Sequence, residues 1–174
     1  MNSKSRMLLV AGLAVAAASI GIGTTGYAVV AAGDPAAIQL AALSPAEAIA
    51  ERQKLMKAQG GHAKAINEYV ESGTGTAADV AAHAAALKES AGKIADLFVP
   101  GSSIEDNVAK TAAKKEIWAN FDEFKAAAAK LGDLAGALEV AAGTGDNQKI
   151  AAAFGAMGKE GCGGCHSKFR QKTE

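Results

Sequence analysis

The sequence predicts an all-α fold, and within that class a left-handed up-down-up-down four-helix bundle. Three observations carry this prediction. Beyond residue 32 the chain is rich in Ala, Lys and Glu and poor in β-branched and aromatic residues, a composition that favours helices. Gly, Pro, Ser and Thr residues divide this region into four segments. Within the segments, apolar residues recur with the spacing of helices that pack at shallow angles in a bundle.

The first two helices begin at capping boxes. Helix one opens at Ser44-Pro45-Ala46-Glu47, where Pro suits the first helical position, and continues to Ser72, before a Gly-Thr-Gly turn. Helix two begins near Thr76, with Asp79 three residues on, and ends before Pro100-Gly101. Its apolar seam comprises Val80, Ala84, Leu87, Ala91, Ile94 and Phe98.

Helices three and four are predicted in the remaining part of the chain, and helix three has a second apolar seam. Helix three is predicted over residues 112–142, and a Gly-Thr-Gly turn ends it. Its seam has a mean period of 3.5 and comprises Ile117, Phe121, Phe124, Ala128, Leu131, Ala135 and Leu138. Helix four begins at Asp146 or Asn147. Because the loops between helices one and two and between helices three and four are short, each pair should be antiparallel neighbours. The longer connection at residues 99–111 should wrap one end of the bundle.

The first 32 residues have the pattern of an export signal. Lys4 and Arg6 precede an apolar run at residues 7–18, and small residues lead up to position 32. We expect cleavage there, although Gly-Tyr-Ala at residues 26–28 is a competing site. Cleavage leaves one domain at residues 33–174, located in the periplasm and without stable membrane association. The alternative is an uncleaved membrane anchor, although glycines and threonines dilute the segment.

The charge balance limits the class of partner. The chain has 18 basic and 18 acidic residues, and removal of Lys4 and Arg6 leaves a formal charge of −2. No basic stripe is present, so nucleic acid is not an expected partner. The sequence contains no nucleophile with an adjacent base and no defensible acid–base pair of carboxylates, so an enzyme is not predicted.

The most specific motif lies close to the end of the chain. Cys162-Gly163-Gly164-Cys165-His166 spells C-x-x-C-H, the attachment sequence of a c-type haem. Each thiol can form a thioether with a haem vinyl group, and the neutral imidazole of His166 can then coordinate iron. Two alternatives remain open, a redox-active dithiol and a zinc site, although the three residues supply only three of four zinc ligands. Few residues follow, so we expect the preceding chain to build the rest of the pocket.

One charged residue occupies an apolar position of helix one. Ile49, Met56, Ala63 and Val70 repeat every seven residues, and Arg52 falls at a position between them that should face inward. An inward arginine needs an anion or a route to solvent. A haem propionate would supply the anion, whereas the alternative is an arginine that extends along the bundle edge to water.

Glycines inside the helices have two explanations. Gly60-Gly61 in helix one, and five glycines from Gly155 to Gly164 in helix four, are costly at helix interiors. They would permit close approach of a flat macrocycle to the helix backbone. Alternatively, helix one breaks or kinks at Gly60.

Met56 is the best candidate for the second axial ligand of the iron. Met157 lies only nine residues before His166 on the same helix, about 13.5 Å along its axis, and should face the core. His62 lies on a different face of helix one from Met56, and His83 lies among alanines on helix two, where we expect it to face solvent. Met56 is one turn after Arg52 on the inward seam. The alternative is an ordinary core methionine that packs against the ring.

These residues together resemble the class II c-type cytochromes, the cytochrome c′ family and its low-spin relatives. The marks are residues 52–57 in helix one, Ile117-Trp118 and Phe124 in helix three, and the C-x-x-C-H followed by Phe169-Arg170. The resemblance covers the region from residue 33 onward. It implies a bundle with one covalent haem c in the core near the C-terminal helix.

The resemblance also implies residue roles. Cys162 and Cys165 would anchor the haem, His166 would bind the iron, and Arg52 and Gln53 would lie near the propionates. Arg170 would lie beside the imidazole. Homodimers are common in the family, so a homodimer is a candidate assembly.

The family divides at the position of Met56. In the low-spin branch a methionine there binds the iron, whereas in the high-spin branch the iron has five ligands and an apolar residue shields it. Some high-spin members also have methionine there. We predict the low-spin branch, a single-electron carrier with His166 and Met56 as iron ligands and unidentified redox proteins as partners. The alternatives are a five-coordinate cytochrome c′ that binds a small gas such as nitric oxide, and a haem-free exported bundle.

Overall fold

The computed structural model describes residues 43–172, which are helical apart from their connections. The predicted export signal lies outside the described residues. The α-helices are α1 (Pro45–Ser72), α2 (Ala77–Ala91), α3 (Glu116–Ala119), α4 (Phe121–Gly143), α5 (Asn147–Ala156) and α6 (Gly164–Phe169). A 3₁₀ turn spans Ala95–Leu97, and a π-helical segment spans Met157–Gly163. Between residues 43 and 172, no helix combines the length and apolar character needed to cross a membrane.

The helices form the predicted four-helix bundle. Its four rods are α1, α2 with the 3₁₀ turn, α3 with α4, and the continuous helical stretch from α5 through the π-helical segment to α6. Rods consecutive in the chain are neighbours, and α1 also contacts α5. The predicted seam of helix two is buried throughout. That of helix three is buried except at Phe121, which is half-buried beside the break between α3 and α4.

The predicted capping boxes are confirmed. The Ser44 hydroxyl accepts from the backbone of Glu47, whose carboxylate accepts in return from the Ser44 backbone N–H. Thr76 and Asp79 repeat this arrangement at the start of α2. Helix α1 ends as predicted, since Gly73 adopts a left-handed conformation with φ 70° and its N–H donates to the carbonyl of Tyr69.

The most deeply buried line of α1 includes two polar residues. Arg52, Gln59 and Ile66 recur every seven residues and are at most 8 % exposed, whereas Met56 is only partly buried. The Gln59 amide donates to the hydroxyl of Ser90 on α2 at 2.9 Å, so this buried polar group is satisfied. The helix runs without interruption through Gly60, and the predicted alternative of a break there is wrong.

Helix two ends earlier than predicted. Regular α-helix stops at Ala91, and hydrogen bonds from residue i to residue i−3 then tighten the chain into the 3₁₀ turn. Ile94 and Phe98 nevertheless remain in the core, at 3 % and 9 % exposure. The predicted seam was therefore right while the predicted helix end was wrong.

Helix three begins later than predicted. Residues 112–114 are extended and pair with the end of the chain through an antiparallel bridge between Ala113 and Arg170. The N–H of Lys114 donates to Phe169, and that of Gln171 donates to Ala112. On the other side, the N–H of Ile104 donates to the carbonyl of Ala113 at 2.8 Å. These bonds occupy backbone groups that a helix would need, and they close the end of the bundle that residues 99–111 wrap.

Helix four begins as predicted, with the Asp146 carboxylate accepting from two backbone N–H groups of the first turn. The glycines of this helix were predicted to permit close approach of a flat macrocycle. That prediction is wrong for Gly161, which packs against α4. A Cβ at this position would lie 3.0 Å from Cδ1 of Leu131 and 3.5 Å from its Cα. By contrast, a Cβ on Gly155 or Gly158 would meet nothing within 4 Å.

Candidate functional site

A cavity of about 450 Å³ lies between the first and last helices. Helix α1 contributes Arg52, Gln53, Met56 and Lys57, and the end of the chain contributes Cys165, His166, Phe169 and Arg170. The remaining wall is formed by Phe98, Thr111, Ala112, Ala113, Ile117 and Phe124. Five of the six site residues predicted from the sequence therefore line one cavity. The sixth, Cys162, is half-buried and packs against the hydrophobic core.

The π-helical segment places the C-x-x-C-H. Cys162 lies within this segment, whereas Cys165 and His166 lie in the α-helical turn that follows. The segment packs against α4 at Gly161, so its position in the bundle is fixed from the side away from the cavity. Local π-helical geometry is frequent at functional sites because the extra residue redirects the side chains that follow.

The two cysteines have the properties of buried thiols. They do not form a disulfide. Burial raises the pKa of Cys162, and burial together with the neighbouring Cys162 raises the pKa of Cys165 to about 11. A redox-active dithiol requires a lowered thiol pKa, so this environment is opposite to the one that the dithiol alternative needs. Within residues 43–172 no three His, Cys, Asp or Glu side chains are grouped so that they could hold a metal ion, so the zinc alternative gains no support from the structure.

His166 is suited to act as a neutral nitrogen ligand. Its ring lines the cavity and is partly open to solvent. Burial, and secondarily the positive charge of Arg170, lower the pKa of His166 below its ordinary value. The unprotonated imidazole is thereby favoured, and this is the form that coordinates a metal.

Arg52 points inward, as predicted, and is 3 % exposed. Its guanidinium donates to the Ser102 hydroxyl at 2.7 Å, to the Ser102 carbonyl at 2.5 Å and to the Thr111 hydroxyl at 2.7 Å. The alternative of an arginine extended to solvent is therefore wrong. All three acceptors are neutral, and burial lowers the pKa of Arg52 to about 10. A buried cation with only neutral partners in the described chain suits an anion in the adjoining cavity.

Gln53 is exposed and connects α1 to the loop, because its side-chain amide donates to the carbonyl of Lys110 at 2.6 Å. Met56 is partly buried and packs against the core at the cavity wall. Met157 is fully buried and absent from that wall, as predicted. His62 and His83 are also absent from the wall, and their rings face each other at the surface between α1 and α2.

Sequence reasoning missed the loop residues that complete the site. Ser102 is fully buried beneath Arg52, and residues 111–113 form the rim opposite α1. Phe98, Phe124 and Phe169 make a contiguous aromatic wall, with ring centroids 4.5 Å and 5.3 Å apart. Only the length of the loop pointed to this role, since its serines and threonines do not form a motif.

The cavity has the features that a haem requires. A flat apolar ring with two carboxylates needs apolar walls, an axial nitrogen ligand and a cation at the rim. The aromatic wall, His166 and Arg52 supply these in turn, and Cys165 lies beside His166 as a covalent anchor. The residues present therefore fit the cofactor that the C-x-x-C-H predicts.

Comparison with known proteins agrees with this geometry. The cytochrome c′ family model matches residues 47–170. The chain is 37 % identical over 128 residues to cytochrome c′ of Pararhodospirillum photometricum, a match that covers 74 % of this chain and 99 % of that protein.

Two solved structures are similar in fold as well as sequence. One is a cytochrome c′ with an unusual ligand-controlled dimer dissociation, with 30 % identity, coverage of 75 % of this chain and 98 % of that chain, and a TM-score of 0.67. The other is a nitric oxide complex of a cytochrome c′ variant from Alcaligenes xylosoxidans, with 28 % identity, coverage of 74 % and 98 %, and a TM-score of 0.64. The chain therefore belongs to the cytochrome c′ family, the class II c-type cytochromes, and carries one covalent haem c.

Proposed function

We propose that this protein is an exported, periplasmic single-electron carrier. Cys162 and Cys165 would anchor the haem as thioethers, and His166 would bind its iron. The observation that carries the proposal is the single cavity that joins Cys165 and His166 of the last helix to Met56 and Arg52 of the first. When bound, the haem supplies a one-electron iron couple, and its potential depends on the axial ligands and on burial. An electron carrier needs no catalytic groups beyond these.

For the second axial position we propose the sulfur of Met56. Apart from His166, it is the only side chain of residues 43–172 on the cavity wall with a thioether or imidazole donor. Helix α1 holds it one turn after Arg52, and it lines the same cavity as Cys165 and His166. A thioether ligand would raise the reduction potential and close the iron to exogenous ligands.

A second candidate function is the binding of a small gas at five-coordinate iron. The match to cytochrome c′ favours it, as does the similar structure of a cytochrome c′ variant with nitric oxide. In this case Met56 would only pack against the open face of the ring, as methionines commonly do in cores. Phe98, Ile117, Phe124 and Phe169 give the cavity an apolar portion that would admit a neutral gas.

We further propose that Arg52 and Gln53 position the propionates. Arg52 reaches the cavity from a buried position and has no carboxylate partner among residues 43–172, and Gln53 lies beside it at the exposed rim. A propionate would give the guanidinium a charged acceptor in place of, or in addition to, its neutral ones.

The rim of the cavity would also suit a redox partner with an acidic surface. Nine lysines of the bundle form ion pairs with carboxylates. Lys57, Lys110, Lys114 and Arg170 have no such pair within residues 43–172, and all four lie at or next to the cavity rim. Unpaired cations around the site would steer an acidic partner toward the haem. A homodimer is a second candidate assembly, given the dimeric relative.

One optical experiment tests the electron-carrier proposal and separates its two forms. The protein would be purified with its haem, reduced, and exposed to carbon monoxide. An unchanged spectrum in the wild type, and a carbon monoxide adduct in Met56→Leu, would support His166 and Met56 as ligands. The Leu side chain keeps the volume and removes the sulfur. An adduct in the wild type would establish the second candidate, and an exported protein without a Soret band would refute both.

A further inference from the structure

His62 and His83 form a pair that the proposed function does not use. The two Nδ1 atoms lie 3.0 Å apart, one on α1 and the other on α2, and the ring centroids are 5.2 Å apart with a tilt of 50°. Both residues are partly exposed, and neither lines the haem cavity. We propose that these two histidines form a binding site for one copper(II) ion at the surface between α1 and α2.

Two imidazole nitrogens that face each other share a single position for a cation. In the metal-free pair, one ring donates its Nδ1–H to the lone pair of the other. A metal ion that replaces this proton can bind both lone pairs once each ring turns so that its lone pair points at the ion. Neutral imidazole is a ligand for copper, zinc and nickel alike, so the donors alone do not select the metal.

The separation of the nitrogens favours copper(II). If ring rotation leaves the nitrogens 3.0 Å apart, bonds of about 2.0–2.1 Å give an angle at the metal of about 95°. That is close to the right angle of a tetragonal site and smaller than the tetrahedral angle that zinc prefers. Copper(II) also has the highest affinity of the divalent first-row metals for such ligands.

The bundle holds the two rings in place. His62 lies between Gln59 and Ile66, both buried on α1, and the residue after His83 is the fully buried Ala84 of α2. The Gln59–Ser90 hydrogen bond joins the same two helices. Because the backbones are fixed by core packing, binding would require only ring rotation, which keeps its entropic cost small.

The surroundings leave room for solvent ligands. A Cβ on Gly60 or Gly61 would meet nothing within 4 Å among the described residues, so they leave the surface of α1 just before His62 open. Within residues 43–172 no third His, Cys, Asp or Glu completes a metal cluster, so water would fill the remaining positions. The Asp79 carboxylate lies one turn before His83 and adds negative charge nearby. It accepts hydrogen bonds from Thr76 at the start of α2.

The chain makes the test clean because it has only three histidines. His166 belongs to the proposed haem site, so the double variant His62→Gln, His83→Gln has no other imidazole outside that site. Copper(II) sulfate would be titrated into the ferric protein with its haem, and binding would be followed by EPR and by competition with a chelator. Lys64→Gln, an exposed change on the same helix, is the matched control.

We expect one copper(II) per wild-type chain, at least tenfold weaker binding in each single variant, and wild-type binding in Lys64→Gln. Zinc should bind more weakly than copper. Protein labelled with ¹⁵N-histidine supplies a readout without substitutions, since two imidazole nitrogens should change the hyperfine structure of the copper signal. Equal affinity in the double variant, or a signal that the label does not alter, would overturn the proposal. Copper bound at the terminal amine of the chain would give that second result.

Discussion

The guanidinium carbon of Arg52 lies 4.7 Å from the centroid of the Phe98 ring. The arginine belongs to α1, whereas the ring follows the 3₁₀ turn at the end of the second rod. The electron-rich face of the ring therefore contributes to stabilising a cation whose hydrogen-bond acceptors are all neutral. One side chain thus ties the first helix to the loop that forms the cavity rim.

Replacement of Arg52 should reduce the stability of the protein and also change the reduction potential of the haem. In Arg52→Lys, one ammonium cannot reach both Ser102 acceptors and Thr111, and we expect a loss of about 1–3 kcal/mol in the free energy of unfolding. Urea titration measures this loss, and Lys54→Met, with a 79 % exposed side chain, is the control.

Arg52→Met removes the positive charge and tests the proposed contact with a haem propionate. A nearby cation stabilises the reduced, more electron-rich haem, so its removal should lower the reduction potential. Spectroelectrochemical titration measures this shift. A potential equal to that of the wild type would mean that Arg52 has only a structural role.

Gly161→Ala should disturb the helix that carries the haem motif. The new Cβ would meet Leu131 at 3.0 Å for Cδ1, which can rotate, and at 3.5 Å for Cα, which cannot move independently. We expect destabilisation of about 1–3 kcal/mol. Gly155→Ala makes no close contact and should stabilise α5 by about 0.5–1 kcal/mol. Thermal unfolding of the two variants gives the comparison, and matching midpoints would show that the contact with α4 is not limiting.

Acid should weaken the cap of α2. Hydrogen bonds from the Thr76 side chain and backbone lower the pKa of Asp79 below its ordinary value of 3.8. A carboxylate with a lower pKa in the folded state contributes stability above its unfolded pKa and loses it as the pH falls through the folded pKa.

Asp79→Asn should therefore destabilise the protein near neutral pH and flatten the decline in stability below about pH 4. Urea titrations across this range measure the effect. Asp133→Asn is the control, because Asp133 makes no hydrogen bond or ion pair with another residue of the described range and is exposed on α4. Parallel pH profiles for wild type and Asp79→Asn would contradict the expectation.

Charge reversal at the cavity rim should slow electron exchange with an anion. Lys57 lines the cavity and has no carboxylate partner among residues 43–172, whereas Lys149 is paired with Asp146 at the start of α5. We expect Lys57→Glu to reduce the rate of oxidation of the reduced protein by ferricyanide by roughly two- to tenfold at low salt. The difference should shrink as the ionic strength rises. Lys149→Glu makes the same charge change, and an equal effect of both variants would refute local steering.

Local signals in the sequence were sufficient where the structure depends on local bonds. The capping boxes at Ser44 and Thr76 fixed the starts of two helices, since their partners are three residues away. The seven-residue repeat placed Arg52 and Met56 toward the interior. The spacing of the residues in the C-x-x-C-H was sufficient to predict covalent attachment of a haem.

Long-range bonds account for the errors. The Ala- and Lys-rich residues 112–115 have good helix propensity, yet their backbone pairs with residues 169–171, far away in the sequence. Likewise, the contact between His62 and His83 depends on the register of two helices, which the sequence pattern does not determine to within one ångström. Propensity is a weak predictor wherever tertiary hydrogen bonds compete with the helix.

The π-helical segment has a consequence for how the last rod combines packing and chemistry. An α-helix turns by about 100° per residue, and a π turn contains one residue more than an α turn. Side chains after Met157–Gly163 are therefore out of phase with those before it. Ile150 and Met157, seven residues apart, are therefore both buried in the core, whereas Cys165 and His166 line the cavity. The side chains of this rod therefore point in two different sets of directions, one before and one after the π-helical segment. Deletion of one residue between Met157 and Cys162 would rotate the C-x-x-C-H away from α1 without changing any residue of the motif.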